Sequence, residues 1–206
     1  SGIQPLDFSV KKNSADQFLL HHAVGSPCQQ IDFKPLETLL TPDMTKRITA
    51  AGGRPTNSDM SYFNLECPGQ KEGVMVVVGW PGQWASEFKY DKDNNLQIQA
   101  GQELTHFKLL PGEEVRTPMI VLQFWQGGDW IDAQNRWRRW MMAYNMPRVD
   151  GKLPKPQLTP DSSVQYTEMS QANEENQKMF IDRYIEEKII PDYWWMDAGW
   201  YVNGGS

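Results

Sequence analysis

Before residue 125 the chain alternates short apolar runs with Gly, Pro and Asn turns, and this punctuation constrains the fold more than any other feature. Val74-Met75-Val76-Val77-Val78 is a largely β-branched run closed by Gly73 and Gly79. β-Branched side chains are stiff about χ1 and pack well on a pleated surface, so the run predicts a buried strand. Residues 17–21 and 62–66 are apolar runs with polar flanks. Residues 87–90 and 96–100 both alternate around Asp91-Lys92-Asp93-Asn94-Asn95, which predicts a hairpin. Residues 106–110 and 119–125, on either side of Pro111-Gly112, predict two further strands. Many short strands between such turns predict an antiparallel sandwich.

The period changes at Asp129. Trp130, Ala133, Trp137, Trp140, Met141 and Tyr144 recur mostly at steps of three and four and mark one helical face. Asp129 is the expected N-cap and Pro147 the stop. Arg136, Arg138 and Arg139 read as a solvated face. Residues 146–162 hold Pro147, Pro154, Pro156 and Pro160, the composition of a stiff, extended linker. Beyond it, residues 163–167 predict a strand. Residues 173–190 predict a helix with a stripe of Met179, Phe180, Tyr184 and Ile185, ended by Pro191. Residues 192–197 predict a second, buried strand before the turn Ala198-Gly199-Trp200. Strand, helix, strand is a βαβ unit with parallel strands. The expected organisation is a sandwich with its C-terminal helix (1–145), a linker (146–162) and the start of a (β/α)8 barrel (163–206). A lone βαβ unit cannot cover both faces of its sheet, and a complete barrel takes ~250 residues. The expectation is that this sequence is the N-terminal part of a longer protein.

Composition narrows the partners. The 206 residues carry 20 Lys+Arg against 26 Asp+Glu, a net charge of −6, which disfavours a nucleic-acid partner. No run approaches the ~18 apolar residues of a membrane-spanning helix. The chain is rich in aromatics, with 9 Trp, 7 Tyr and 8 Phe; flat rings that face sugar C–H groups are one use for them, core packing the commoner one. Cys28 and Cys67 are too few for a disulfide framework or a zinc site, and whether they are bridged stays open. Asp91–Asn95 mimics the start of a calcium loop but has Leu96 and Gln102 where that pattern needs Gly and Glu. His21 and His22, as strand neighbours, point to opposite faces and would not chelate together. No cofactor or metal is implied.

The segment Trp194-Trp195-Met196-Asp197-Ala198-Gly199-Trp200-Tyr201 carries the most chemistry. An apolar strand ends in a carboxylate, and Gly turns the chain beside an aromatic. Strand C-termini are where parallel α/β folds present functional residues. From spacing alone, Asp197 is equally a turn cap and Trp200 a packing residue. Carboxylate, then Gly-Trp, resembles the Asp-Asp-Gly-Trp signature of glycoside hydrolase family 36, the bacterial α-galactosidase type. Leu109-Leu110-Pro111-Gly112-Glu113-Glu114-Val115-Arg116-Thr117-Pro118 is similar to the stretch that ends that family's N-terminal β-supersandwich. The Trp-rich helix and the linker follow in the family's order, so that the likeness covers residues 70–200.

The resemblance implies a mainly β fold, an antiparallel β-supersandwich followed by the first βαβ unit of an incomplete (β/α)8 barrel. It implies that Asp197 contacts hydroxyls of a terminal sugar, that Tyr166 lines the pocket, and that Trp200 contributes an aromatic face. Trp80 and Trp84, in Gly79-Trp80-Pro81-Gly82-Gln83-Trp84, are candidate substrate contacts or interface packing. Two departures stand out: Ala198 occupies the place of the second aspartate, and Tyr166 that of a Trp. The family is a retaining one, with an aspartate nucleophile and a second carboxylate as acid/base about 5–5.5 Å apart. Both belong to later barrel strands, so no catalytic residue is expected here; Glu168, Glu174 and Glu175 are not promoted to that role. The implied whole is a retaining α-glycoside hydrolase acting on terminal α-linked sugars. The alternative is a non-catalytic sandwich that binds carbohydrate or packs against another domain. The expected partner is an α-glycoside oligosaccharide, with a homo-oligomer also allowed. The expected setting is bacterial, periplasmic or secreted rather than cytoplasmic, although the start shows no signal-peptide pattern.

Overall fold

The computed structural model describes residues 2–11, 17–162 and 172–196. The chain divides into two compact units, Ser1–Asn145 and Met146–Ser206. Among the described residues of the first, nine strands form two antiparallel sheets: β1 (Ile3–Lys11), β2 (Phe18–Ala23), β3 (Pro35–Leu40), β4 (Met44–Thr49), β5 (Tyr62–Cys67), β6 (Glu72–Gly79), β7 (Trp84–Tyr90), β8 (Asn95–Gln102) and β9 (Met119–Gln126). One sheet runs β1-β8-β7-β4 and the other β3-β2-β5-β6-β9.

Alternation decides which side chains meet between the sheets. Val74, Val76 and Val78 of β6 face inward, with Phe63 and Leu65 of β5 and Phe18 and Leu20 of β2. Opposite them lie Phe88 and Tyr90 of β7 and Leu96, Ile98 and Ala100 of β8. Phe63 meets Trp84 and Phe88 edge-on, at ring-centroid distances of 5.8 and 5.4 Å. That geometry suits the ring quadrupoles and adds to the burial itself. The β7–β8 hairpin forms where the alternation predicts it. Asn94 takes a positive φ of 59°, and the Asp91 carboxylate accepts from the backbone N–H groups of Asp93 and Asn95, each at 2.9 Å.

The sequence reading missed β1, β3 and β4. β1 and β4 are the edges of the four-stranded sheet and β3 is an edge of the other. Edge strands mix polar and apolar residues on both faces, which blurs the alternation. The reverse error occurs at residues 106–110. They join no sheet ladder, and Phe107, Leu109 and Leu110 are exposed.

Helix α1 (Trp130–Trp140) starts at Asp129 in a capping box: the Asp129 side chain accepts from the Asp132 N–H, and Asp132 reciprocates. Ala133 and Trp137 are its buried residues. After Trp140 the chain widens into a π-type turn, Met141–Asn145. The wider turn shifts the phase of the face, so Tyr144, predicted on the apolar side, is 78% exposed.

In the second unit, helix α2 (Glu174–Glu186) begins at an Asn173–Asn176 capping box. It ends earlier than Pro191 would impose. Lys188 is left-handed, with φ 62°, and the Ile189 N–H reaches back to the Tyr184 carbonyl at 2.9 Å, a Schellman closure. The inward face is Gln177, Phe180, Ile181 and Tyr184; Met179 and Ile185, predicted in the stripe, are exposed. Trp194 lies against Phe180 and Tyr184. Residues 192–196 are not a buried strand as expected: Tyr193, Trp195 and Met196 are exposed. The backbone pairing that does occur is parallel in sense. The Leu158 carbonyl accepts from the Asp192 and Tyr193 N–H groups and the Pro160 carbonyl from that of Trp195, so both segments advance together. The end of the predicted linker supplies this described partner, and residues 163–167 are the candidate strand expected from the sequence. That candidate strand lies outside the described residues.

Candidate functional site

Of the five residues singled out in the sequence, Tyr166, Asp197 and Trp200 lie outside the described residues, as does Ala198. The other two, Trp80 and Trp84, part company. Trp84 is 0% exposed; its indole N–H donates to the Pro55 carbonyl at 2.7 Å and its ring packs on Phe63. A ring enclosed in the core has no face left for a sugar, which corrects the expectation for Trp84. Trp80 is half-buried against the same core. Gly82 lies beneath its indole, where an added Cβ would meet the ring nitrogen at 3.1 Å.

The residue that organises this loop is Gln83, which the sequence reading passed over. Its amide donates to the Ala50 carbonyl at 2.5 Å and to Glu103 at 2.6 Å, and its oxygen accepts from the Gly53 N–H at 3.0 Å. Glu103 also pairs with Arg47. One glutamine thus ties the β6–β7 loop to the segment after β4 and to the end of β8.

A second polar-aromatic cluster lies on the outer face of the five-stranded sheet, where α1 packs. The indole N–H of Trp125 donates to Asn64 Oδ1 at 2.9 Å, and Asn64 Nδ2 donates to the Trp130 carbonyl at 3.2 Å. Asn64 is wholly buried, so a single side chain satisfies β9 and the first turn of α1 together. Trp125 lies over Gly73, its cross-strand partner; a Cβ there would meet the indole at 2.6 Å. Next to Asn64 on this face is His21, 5% exposed. Its ring stacks on Trp130, centroids 4.6 Å apart and planes 15° apart. His21 Nε2 donates to Glu66 at 2.7 Å. Nδ1 lies 3.1 Å from Glu37 but makes no hydrogen bond. His22, on the opposite face of β2, bonds Thr38 at 3.0 Å.

Beside this cluster is a cavity of about 470 Å³, walled by His21, Glu37, Tyr62, Trp130 and Gln134 among others. Burial pushes the Tyr62 phenol above its ordinary value, so its O–H stays intact at neutral pH. Among the described residues no cluster of His, Cys, Asp and Glu is arranged to hold a metal ion. Cys28 is exposed, Cys67 is buried, and they are not bridged. No described helix is long and apolar enough to cross a membrane.

No family model matches the sequence, and no curated protein does. Solved structures do match. The chain has the fold of the N-terminal part of glycoside hydrolase family 36 α-galactosidases. A variant of the family 36 α-galactosidase AgaA from Geobacillus stearothermophilus, in complex with raffinose, superposes with a TM-score of 0.73 at 16% identity, over 94% of this chain and 26% of that one. The α-galactosidase from Lactobacillus brevis gives 0.67 at 12% identity, over 89% of this chain and 24% of that one. The galactosidase domain of the α-galactosidase–sucrose kinase AgaSK gives 0.60 at 17% identity, covering 77% and 22%. This chain therefore spans about a quarter of the length of the AgaA and Lactobacillus structures. At such identities the likeness is one of fold. It agrees with the two-sheet architecture expected from the sequence.

Proposed function

We propose that this chain is the N-terminal, non-catalytic β-supersandwich region of an α-glycoside hydrolase of the family 36 kind, and that its own task is to support and pack against a (β/α)8 barrel. The observation that carries this reading is the coverage: nearly all of this chain superposes on about a quarter of α-galactosidases far longer than itself. The parallel backbone pairing of residues 158–160 with 192–195, on either side of α2, is the arrangement a barrel would extend. In this reading the whole protein hydrolyses terminal α-linked sugars with retention. Asp197 bonds their hydroxyls, and Tyr166 and Trp200 form walls of that pocket. Ala198 removes one of the paired carboxylates, so galactose is a less natural substrate than for the structural relatives. The nucleophile and the acid/base belong to later strands, because a retaining pair must flank the scissile bond.

The test is turnover by the purified chain of aryl α-galactoside, α-glucoside and α-N-acetylgalactosaminide. The expected rate equals that of the buffer blank. Reproducible hydrolysis above it would remove the non-catalytic reading.

A further inference from the structure

The five-stranded sheet ends at β9, and among the described residues nothing pairs with the outer edge of that strand. Pairing with β6 uses the backbone groups of alternate residues only. Every second residue of Met119–Gln126 therefore directs its N–H and C=O away from the sheet. We propose that this edge joins the same edge of a second copy of the chain, antiparallel, so that two five-stranded sheets continue into one across a two-fold axis.

Three observations carry it. The first is a contrast among the edge strands of the described sheets. β1 carries Pro5, Asp7 and Lys11 and a register shift between Ile3 and Leu6. β3 carries Pro35 and Glu37, and β4 carries Lys46 and Arg47. Prolines, charges and bulges are the devices that keep an open edge from pairing. β9 is eight residues long, with no charge, no proline and no register shift. The second is that burial falls away at β9. Val76 and Val78 of β6 are at most 1% exposed, whereas their partners Leu122 and Ile120, on the same inner face, are only partly buried. Phe124, opposite Val74, is 69% exposed. One more strand beside β9 would cover these flanks.

The third observation selects a second copy as the occupant. The nearest charges beyond the two ends of β9 are Arg116 before it and Asp129 after it. Antiparallel pairing of two copies brings the Arg116 end of one to the Asp129 end of the other, while parallel pairing would set like charge beside like. Glu113 and Glu114 lie further out, Glu113 turned onto the Leu110 N–H. A two-fold axis normal to the sheet keeps both inner faces on one side, so opposed residues share a face. With the axis at Leu122, Ile120 of one copy meets Phe124 of the other, a favourable pairing of β-branched and aromatic side chains. The contact is isologous, uses up the edge and closes at two copies.

The experiment is analytical ultracentrifugation of the whole chain from about 1 to about 300 μM, with amide hydrogen exchange at both ends of that range. A reversible monomer–dimer equilibrium with Kd in about the micromolar range is expected, with Met119–Gln126 amides better protected at high concentration. Val121→Lys and Phe124→Lys put a charge on the edge and should each weaken association by about tenfold or more. Phe124 is exposed, so its variant should keep the melting temperature of the dilute monomer. Arg116→Glu should weaken association by about threefold, less at high salt. Leu110→Lys, at an exposed residue outside both sheets, should leave it unchanged. A monomer throughout the range, a dimer indifferent to both edge variants, growth beyond two copies, or a dimer that Leu110→Lys dissolves equally would each overturn the proposal. None of these outcomes touches the non-catalytic role, which is judged by turnover alone.

Discussion

The sandwich encloses a set of aromatic residues completely, and the described part of the second unit does not. In the sandwich, Phe63, Trp84, Phe88 and Tyr90 are at most 1% exposed; Phe63 meets Trp84 and Phe88, and Tyr90 meets Phe18. In the second unit Tyr193 and Trp195 are 58% and 56% exposed, and the residue buried in α2 is the polar Gln177, held by Ser162 and by the Trp194 indole N–H. The difference follows from geometry. Two twisted sheets enclose a core between them, whereas a single helix has one face and covers whatever that face reaches.

The largest test of this contrast is truncation of an aromatic in each unit. Phe88→Ala should cost about 3–5 kcal/mol and lower the sandwich melting transition steeply. Trp195→Ala, at an exposed position, should stay within about 0.5 kcal/mol. Equal losses would break the contrast. Amide hydrogen exchange sharpens it without mutation: the Val74–Val78 amides should be protected far longer than those of Glu174–Glu186.

The next effect concerns the bond that fastens α1 to its sheet. Asn64→Ala leaves the buried Trp125 N–H without an acceptor and should cost about 1–3 kcal/mol, read as a drop in the denaturation midpoint at unchanged m-value. A smaller gain is expected in the second unit. Lys188 holds a left-handed conformation that glycine adopts freely, so Lys188→Gly should stabilise α2 by up to about 1 kcal/mol, seen as slower exchange in its last turn. The smallest effect is acid-dependent. The Asp91 carboxyl is held below its ordinary value first by the Asn95 side-chain amide and then by the Asn95 backbone N–H, with the Asp93 N–H adding to them. A lowered folded-state value stabilises the fold above the ordinary carboxylate range, and that contribution is lost as pH falls through the lowered value. Below about pH 4 the melting temperature of the parent chain should therefore fall more steeply than that of Asp91→Asn, by a degree or so at most at this exposed turn.

How much was legible in the sequence differs from element to element. Residues 74–78 and the 91–95 hairpin announced themselves because a buried central strand and a tight turn are specified locally, by β-branched runs and by turn chemistry. The edge strands β3 and β4 did not, since half of each faces solvent and carries mixed residues. Among the candidate site residues, Trp80 and Trp84 look alike in sequence, four residues apart in one Gly/Pro loop. Only the structure shows that Trp84 starts a strand facing inward while Trp80 remains in the loop. Asn64, Gln83 and His21 carried no signal, because what makes them matter is a partner far along the chain.

By itself, then, the sequence determined the period of the central strands and of the two helices, the helix starts at Asp129 and Asn173, and the sandwich class. The tertiary structure alone decided which strands pair, which Trp is enclosed, and that His21 meets Trp130 and Glu66 beside a cavity. Those outcomes depend on sheet order and on the side of the sheet where α1 lands. Neither quantity is encoded in any local run of residues, because a strand's hydrogen-bonding edge is the same whatever partner it receives.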